Sequence, residues 1–147
     1  MVIQKIKLRL GKPQNGWLPV QFKADNFEVS FEASDVPVDP IDQLCDALAL
    51  ALKGIDSEVW WHLEPAGYYF SFSSHDKILD LKIYSDVGQG SKRKLEYEIN
   101  GNFEAILLPI YRGLKEFTSI NNSEPHWPSI SIEKSERLTK LIQHIKT

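Results

Sequence analysis

The sequence predicts an α+β fold with about seven strands in a largely antiparallel sheet, arranged as meanders of three and four strands. One helix is expected between the meanders and two at the C-terminal end. Apolar and polar residues alternate with period two in many short segments, helical spacing replaces this alternation near 41–52 and after 103, and turn formers separate the segments. A length of 147 residues with 42% hydrophobic residues is typical of one domain, so residues 1–147 are expected to form a single α+β domain.

The first meander is predicted from three alternating segments. Residues 2–10 form the first strand, the turn formers of 11–16 reverse the chain, and 17–24 form the second strand. A tight break at 25–26 leads into the third strand, 27–34, which has the clearest half-buried pattern of the chain. The apolar face of the third strand consists of Phe27, Val29, Phe31 and Ala33.

The first helix is predicted from a capping signal followed by helical spacing. Asp39 is a capping acid, and Pro40 fits the first helical position, where the missing N–H costs nothing. Gly54 follows the last apolar position and marks the end of the helix. The apolar stripe consists of Ile41, Leu44, Cys45, Leu48 and Leu52.

The second meander is predicted from four alternating segments in which aromatic and β-branched residues are frequent. Turns are expected at 65–67 and 73–76, with a longer loop at 88–92. The apolar faces are expected to be Val59, Trp61 and Leu63, then Tyr68, Phe70 and Phe72, then Leu79, Leu81 and Ile83, and finally Leu95, Tyr97 and Ile99.

Two helices are predicted at the C-terminal end. Phe103 to Phe117 has helical spacing, so one helix kinked at Pro109 is preferred, and a short strand at 103–107 with a helix starting near Pro109 is the alternative. A loop is expected at 121–128. A terminal helix is expected to pack on the core through Ile132, Leu138, Leu141, Ile142 and Ile145.

Composition excludes several classes of protein. Cys45 is the only cysteine, which excludes an intrachain disulfide and a cysteine-rich zinc site and predicts a reducing compartment, the cytoplasm. Residues 1–10 alternate charged and apolar residues, unlike a signal peptide. The apolar run 47–52 is stopped by Lys53, so no membrane-spanning segment is expected.

One strand face carries the best candidate site. Trp60, His62 and Glu64 alternate with the apolar residues of their strand, and Tyr69 on the next strand extends the same face if pairing is sequential. Amphipathic aromatic residues beside charges are typical of a recognition surface. The alternative is that a later helix covers this face, with Trp60 and Tyr69 in the core.

The sequence contains no complete set of metal ligands and no catalytic motif. His62 and Glu64 could supply two ligands with His75 as a third, but nothing in the sequence fixes that third ligand, and no metal or other cofactor is predicted. The chain lacks the G-x-S-x-G elbow of serine hydrolases, and Cys45 lies on an apolar helix stripe, so no catalytic residue is predicted. A small-molecule pocket or enzyme site around His62, Glu64, Tyr69 and His75 is kept as the alternative function.

The charge distribution suggests a partner. Residues 25–64 contain ten acids and one base, whereas the remainder contains ten acids and sixteen bases. Such a field can attract a basic protein, with Glu28 and Glu32 on the exposed face of the third strand as contacts. The alternative is that these acids only form the solvated faces of a strand and a helix. The basic loop 88–94 lacks a phosphate-binding motif, and a pI near 5.8 argues against nucleic acid.

The segment Trp60-Trp61-His62-Leu63-Glu64-Pro65, the aromatic strand 67–72 and the run Leu79–Ile83 carry a resemblance. They resemble small uncharacterised bacterial α+β proteins of the kind found as immunity proteins in toxin systems. The resemblance implies a binding protein that masks a toxin, often through an acidic surface, and it transfers no functional residue. We therefore expect a non-enzymatic module that binds a basic protein through Glu28, Glu32, Trp60, His62, Glu64 and Tyr69. A homo-oligomeric structural subunit is a third hypothesis.

Overall fold

A computed structural model of the chain describes residues 6–88, 92–119 and 131–146. It confirms the predicted α+β fold, with seven strands in two antiparallel sheets, one helix between them and two C-terminal helices. Val2 and the loop 121–128 lie outside the described residues. In chain order the elements are β1 (Ile6–Leu10), β2 (Trp17–Ala24), β3 (Phe27–Ser34), α1 (Pro40–Leu52), β4 (Ser57–His62), β5 (Gly67–His75), β6 (Ile78–Asp86), β7 (Lys94–Gly101), α2 (Phe103–Ser119) and α3 (Ile132–Lys146).

The strands form a first sheet, in the order β1-β2-β3, and a second sheet, in the order β4-β5-β6-β7. The inner faces of the two sheets share one hydrophobic core. Alternation along each strand places its apolar residues on the face that points into this core. Phe22 and Phe70 meet across the two sheets with ring centroids 5.3 Å apart, and Phe31 stacks on Tyr68 at 4.6 Å. Trp61 is fully buried in the core between the two sheets, against Phe31 and Phe70.

Helix α1 closes the free edge of β4. The Asp39 carboxylate accepts a hydrogen bond from the Ile41 N–H at 3.0 Å, which confirms the predicted cap. Farther along, the Gln43 side-chain oxygen accepts from the Trp60 backbone N–H at 2.6 Å. The Ser57 hydroxyl donates to the Ala47 carbonyl at 2.8 Å. The polar backbone of this edge is therefore partly satisfied by the helix.

Helix α2 is continuous from Phe103 to Ser119 and contains Pro109, so the strand alternative for 103–107 is wrong. The Asn102 side chain accepts from the Ala105 N–H at 2.8 Å and caps the helix. At Gly113, α2 crosses β1 so closely that a Cβ atom would lie 2.4 Å from the Leu8 carbonyl oxygen. Because Gly113 has no side chain, the helix can approach the β1 backbone this closely.

Helix α3 packs on α1. Lys134 Nζ lies 2.7 Å from an Asp42 carboxylate oxygen and 2.9 Å from an Asp46 carboxylate oxygen. Leu138 and Ile142 are buried as predicted, but Ile132 is 73% exposed, so its predicted core position is wrong. Ile132 is the first residue of the helix and lies about 1.7 turns before Leu138, the first buried residue of the stripe.

A β-bulge changes the orientation of side chains at the start of β7. Ile83 pairs with Tyr97, but Tyr84 pairs with Leu95, so Glu96 is the extra residue. Leu95 therefore points away from the core and is 47% exposed. The prediction that Leu95 shares a face with Tyr97 and Ile99 is wrong for this reason.

Candidate functional site

The candidate site lies on the outer face of the second sheet, defined as the side chains of β4–β7 that point away from the core. The cross-strand register places Trp60, Tyr69, Tyr84 and Leu95 in one row across all four strands. The three aromatic side chains are partly exposed and Leu95 is exposed, so the row is not part of the core. The alternative in which a helix buries Trp60 and Tyr69 is wrong.

Trp60 is the centre of the aromatic contacts. Its ring is nearly parallel to that of Tyr69, at 5° with centroids 6.3 Å apart, and its centroid lies 4.6 Å from that of His62. A Cβ atom at Gly67 would lie 2.8 Å from Trp60 Nε1, so a larger residue here would force the indole to shift. The indole N–H is itself buried and has no hydrogen-bond partner among the described residues.

A guanidinium lies over the second aromatic ring of the row. The Arg93 guanidinium carbon is 3.7 Å from the Tyr69 ring centroid. Its Nη1 and Nη2 donate to the two Glu58 carboxylate oxygens at 2.7 and 2.9 Å. The Ser71 hydroxyl donates to Glu58 Oε2 at 2.5 Å. The arrangement combines a bidentate ion pair with a cation–π contact.

The Tyr69 hydroxyl is fixed at the other end of its ring. It donates to Asp86 Oδ2 at 2.6 Å, and Asp86 Oδ1 accepts from the Gly88 N–H at 3.1 Å. Burial raises the pKa of Tyr69, and the hydrogen bond to Asp86 adds to the increase. Tyr69 is therefore a neutral donor with a fixed orientation.

His62 and Glu64 are placed differently from each other. His62 ends β4, and its Nδ1 lies 2.7 Å from the Val36 carbonyl oxygen. A carbonyl only accepts, so Nδ1 carries the proton in this contact. Glu64 is exposed in the following turn with φ of 54°, outside the strand alternation. The prediction that Glu64 continues the face of Trp60 and His62 is wrong, because the strand ends before it.

The four residues of the alternative pocket do not converge. His62 pairs with Gly67 at one end of β5, and His75 stands at the other end with its side chain 93% exposed. The two ends are eight residue steps apart along β5, which is roughly 26 Å. No group of three or more potential metal ligands occurs among the described residues.

Two clefts lie elsewhere on the molecule. One of about 530 Å³ runs between β1 and α2, and one of about 490 Å³ lies on the outer face of the first sheet. His62 and Tyr69 line neither cleft. Cys45 is buried as expected, and burial raises the pKa of its thiol to about 12. This cysteine is not a nucleophile in the folded chain.

The outer face of the second sheet is acidic. Its strands present four carboxylates, those of Glu58, Asp80, Asp86 and Glu98. Two permanent cations face them, Lys82 on β6 and Arg93 over the Tyr69 ring. Burial raises the pKa of Asp80, and the neighbouring Glu98 carboxylate raises it further. The two carboxylates repel one another, with Lys82 Nζ at 4.0 Å from Asp80 as a partial counterion. A cation placed here would relieve that repulsion.

The acidic run of 25–64 does not form one surface. Glu28 and Glu32 lie on the outer face of the first sheet, where Glu28 pairs with Lys23 across the strands and accepts from Gln21 at 3.1 Å. Lys7 and Arg9 of β1 share that face. Bases distant in sequence therefore dilute the charge of the acids around Glu28.

Both members of the ion pair at Tyr69 escaped sequence reasoning. Glu58 is two positions before Trp60, so the alternation that identified Trp60 also places Glu58 on the outer face. Alternation does not predict the position of Arg93, because its orientation depends on the β-bulge at Glu96.

None of the described helices is long and apolar enough to span a membrane. Comparison of the chain with protein-family models, curated proteins and solved structures found no match.

Proposed function

We propose that this chain is a non-enzymatic protein-binding module that binds a basic protein through the outer face of the second sheet. The observation that carries the proposal is the row Trp60, Tyr69, Tyr84 and Leu95, which is partly exposed and lies among four carboxylates and two cations. Large amphipathic rings contribute most of the binding energy in many interfaces, and the excess negative charge favours a cationic partner.

The face is suited to binding because it is already ordered. Three antiparallel pairings hold its backbone, Gly67 seats the Trp60 indole, and Asp86 orients Tyr69. Little side-chain entropy is then lost when a partner binds. His62 adjoins Trp60 and extends the contact toward the end of β4.

A second version of the proposal uses Glu28 and Glu32 on the first sheet. The nearby bases Lys7, Arg9 and Lys23 weaken its attraction for a basic partner. The two versions are separable, because the outer faces of the two sheets carry different residues and can be changed independently.

The role we propose for such binding is that of a bacterial immunity protein, which masks a basic toxin in the cytoplasm. The acidic aromatic face supports this role, since an immunity protein acts by covering its toxin.

The test is co-expression and co-purification with the product of the neighbouring gene, together with a growth assay for protection. Trp60→Ala with Tyr69→Ala is expected to weaken the complex about thirtyfold or more and to remove protection, as the loss of two central aromatic residues does. Glu28→Lys with Glu32→Lys is the matched control on the other sheet and is expected to leave affinity nearly unchanged. Loss of binding only in the control would move the interface to the first sheet. Equal affinity in both variants and the wild type would refute the proposal.

A further inference from the structure

Arg93 makes an ion pair and a cation–π contact on the outer face of the second sheet. Its guanidinium is held by both oxygens of Glu58 and lies 3.7 Å above the Tyr69 ring. Ser71 donates to the same carboxylate and orients it. A planar cation that donates through two parallel N–H groups while stacking on a ring fits this arrangement, and a lysine ammonium lacks that geometry.

We propose that Glu58, Ser71 and Tyr69 form an arginine-binding site, which Arg93 occupies until an arginine of the basic partner displaces it. The inference rests on the proposed function, since it assigns the chemistry of the partner at that same face. Arg93 is then an internal competitor that sets the affinity and excludes partners without a correctly placed arginine.

Displacement is feasible because the internal contact is exposed. The side chain of Arg93 is 43% exposed and that of Glu58 is 35% exposed, so water screens their ion pair. An exposed ion pair together with one cation–π contact favours the occupied state by roughly tenfold. Removing Arg93 is therefore expected to strengthen arginine binding by about that factor, because a larger fraction of the protein is competent to bind.

The position of Arg93 also suits exchange. It precedes the first residue of β7 and belongs to no strand, so its side chain can leave Glu58 without breaking a strand pairing of the sheet. Glu58 and Tyr69, by contrast, lie inside paired strands and remain in place. The site therefore persists when its internal occupant leaves.

The experiment titrates N-acetylarginine amide into the full chain and follows the Trp60 indole N–H signal by NMR. Trp60 stacks beside Tyr69, so occupation of the site alters its ring environment. The Arg93→Ala variant is expected to show a saturable shift at about tenfold lower probe concentration than the wild type. N-acetyllysine amide is expected to give no saturable shift.

Two further variants complete the test. Arg93→Ala with Glu58→Gln is expected to lose the response to the arginine probe. Arg137→Ala is the matched control, since Arg137 pairs with Glu133 on α3 and its loss leaves the site unchanged. Arg93→Gln provides the same readout if the alanine variant loses its dispersed spectrum.

The proposal is overturned if neither Arg93 variant binds the arginine probe more tightly than the wild type. It is equally overturned if the lysine probe binds as well, or if Glu58→Gln has no effect. A partner complex that depends on Trp60 and Tyr69 but is insensitive to Glu58→Gln would sink the arginine site and leave the proposed function standing.

Discussion

Replacing Gly113 with alanine is expected to destabilise the protein, although alanine is the better helix former. Gly113 is buried where α2 crosses β1. A Cβ atom there would lie 2.4 Å from the Leu8 carbonyl oxygen and 3.0 Å from Leu8 Cβ, whereas ordinary contact begins at 3.4 Å. The helix and the strand would have to separate by about 1 Å, because the nearest atom belongs to the backbone and has no rotamer to change.

Two opposing effects set the magnitude. Alanine in a helix interior is favoured over glycine by about 1 kcal/mol. Overpacking a buried site costs about 1–3 kcal/mol, and a rigid backbone neighbour places Gly113 at the upper end of that range. The expected net loss is about 1–2 kcal/mol. For 147 residues the entropy of unfolding is about 0.3 kcal/mol per kelvin, so the loss lowers Tm by about 3–6 °C.

Urea and thermal unfolding followed by circular dichroism measure this change. Lys115→Ala is the control, because Lys115 is exposed on the same helix and its loss is expected to change stability by less than about 0.5 kcal/mol. A Gly113→Ala protein more stable by about 1 kcal/mol would show that helix propensity dominates. That result would refute the close approach of α2 to β1.

Three further outcomes are expected. Cys45 should react with a thiol reagent at about pH 8 only as fast as the chain opens, because burial raises its pKa to about 12, and reaction at the rate of a free thiol would contradict this. Burial and the hydrogen bond to Asp25 raise the pKa of Tyr97 from 10.0 to about 12, so the stability it contributes is complete below pH 10 and is lost as pH rises toward 12. In a spectrophotometric titration, the Tyr97→Phe variant should lack one of the tyrosines that ionise above pH 10 in the wild type. An unchanged titration curve would refute the raised pKa of Tyr97. Lys134→Met should lower the free energy of unfolding by about 1 kcal/mol, less at high salt, because two α1 carboxylates lose their counterion. Arg137→Ala on the same helix should cost less than about 0.5 kcal/mol, and equal effects would refute the importance of the α1–α3 contact.

The strands and the first helix could be predicted because local chemistry decides them. Alternation fixes which side of β3 is buried, and Asp39-Pro40 fixes where α1 begins. Trp60 and Tyr69 were assigned to one face by the same argument, and the register confirms it. Each of these inferences needs only neighbours in sequence.

Surface charge could not be predicted from one segment. The acids of 25–64 were expected to act together, but Glu28 stands opposite Lys23, and Asp42 meets Lys134 from the last helix. Cross-strand pairing and helix packing bring bases from outside the segment beside its acids, so a local excess of acids does not define an acidic surface. The acidic face lies instead where β6 and β7 add Asp80 and Glu98.

The bulge at Glu96 links the fold to the proposed site. In an uninterrupted strand, alternation from Tyr97 would turn both Leu95 and Arg93 toward the core, where an unpaired guanidinium would be strongly unfavourable. One extra residue reverses the alternation and places Leu95 beside Tyr84 and Arg93 over Tyr69. Bulges reorient side chains in this way without changing the rest of a sheet. The bulge therefore completes the row of Trp60, Tyr69, Tyr84 and Leu95 and brings the Arg93 guanidinium to Glu58, the proposed recognition group.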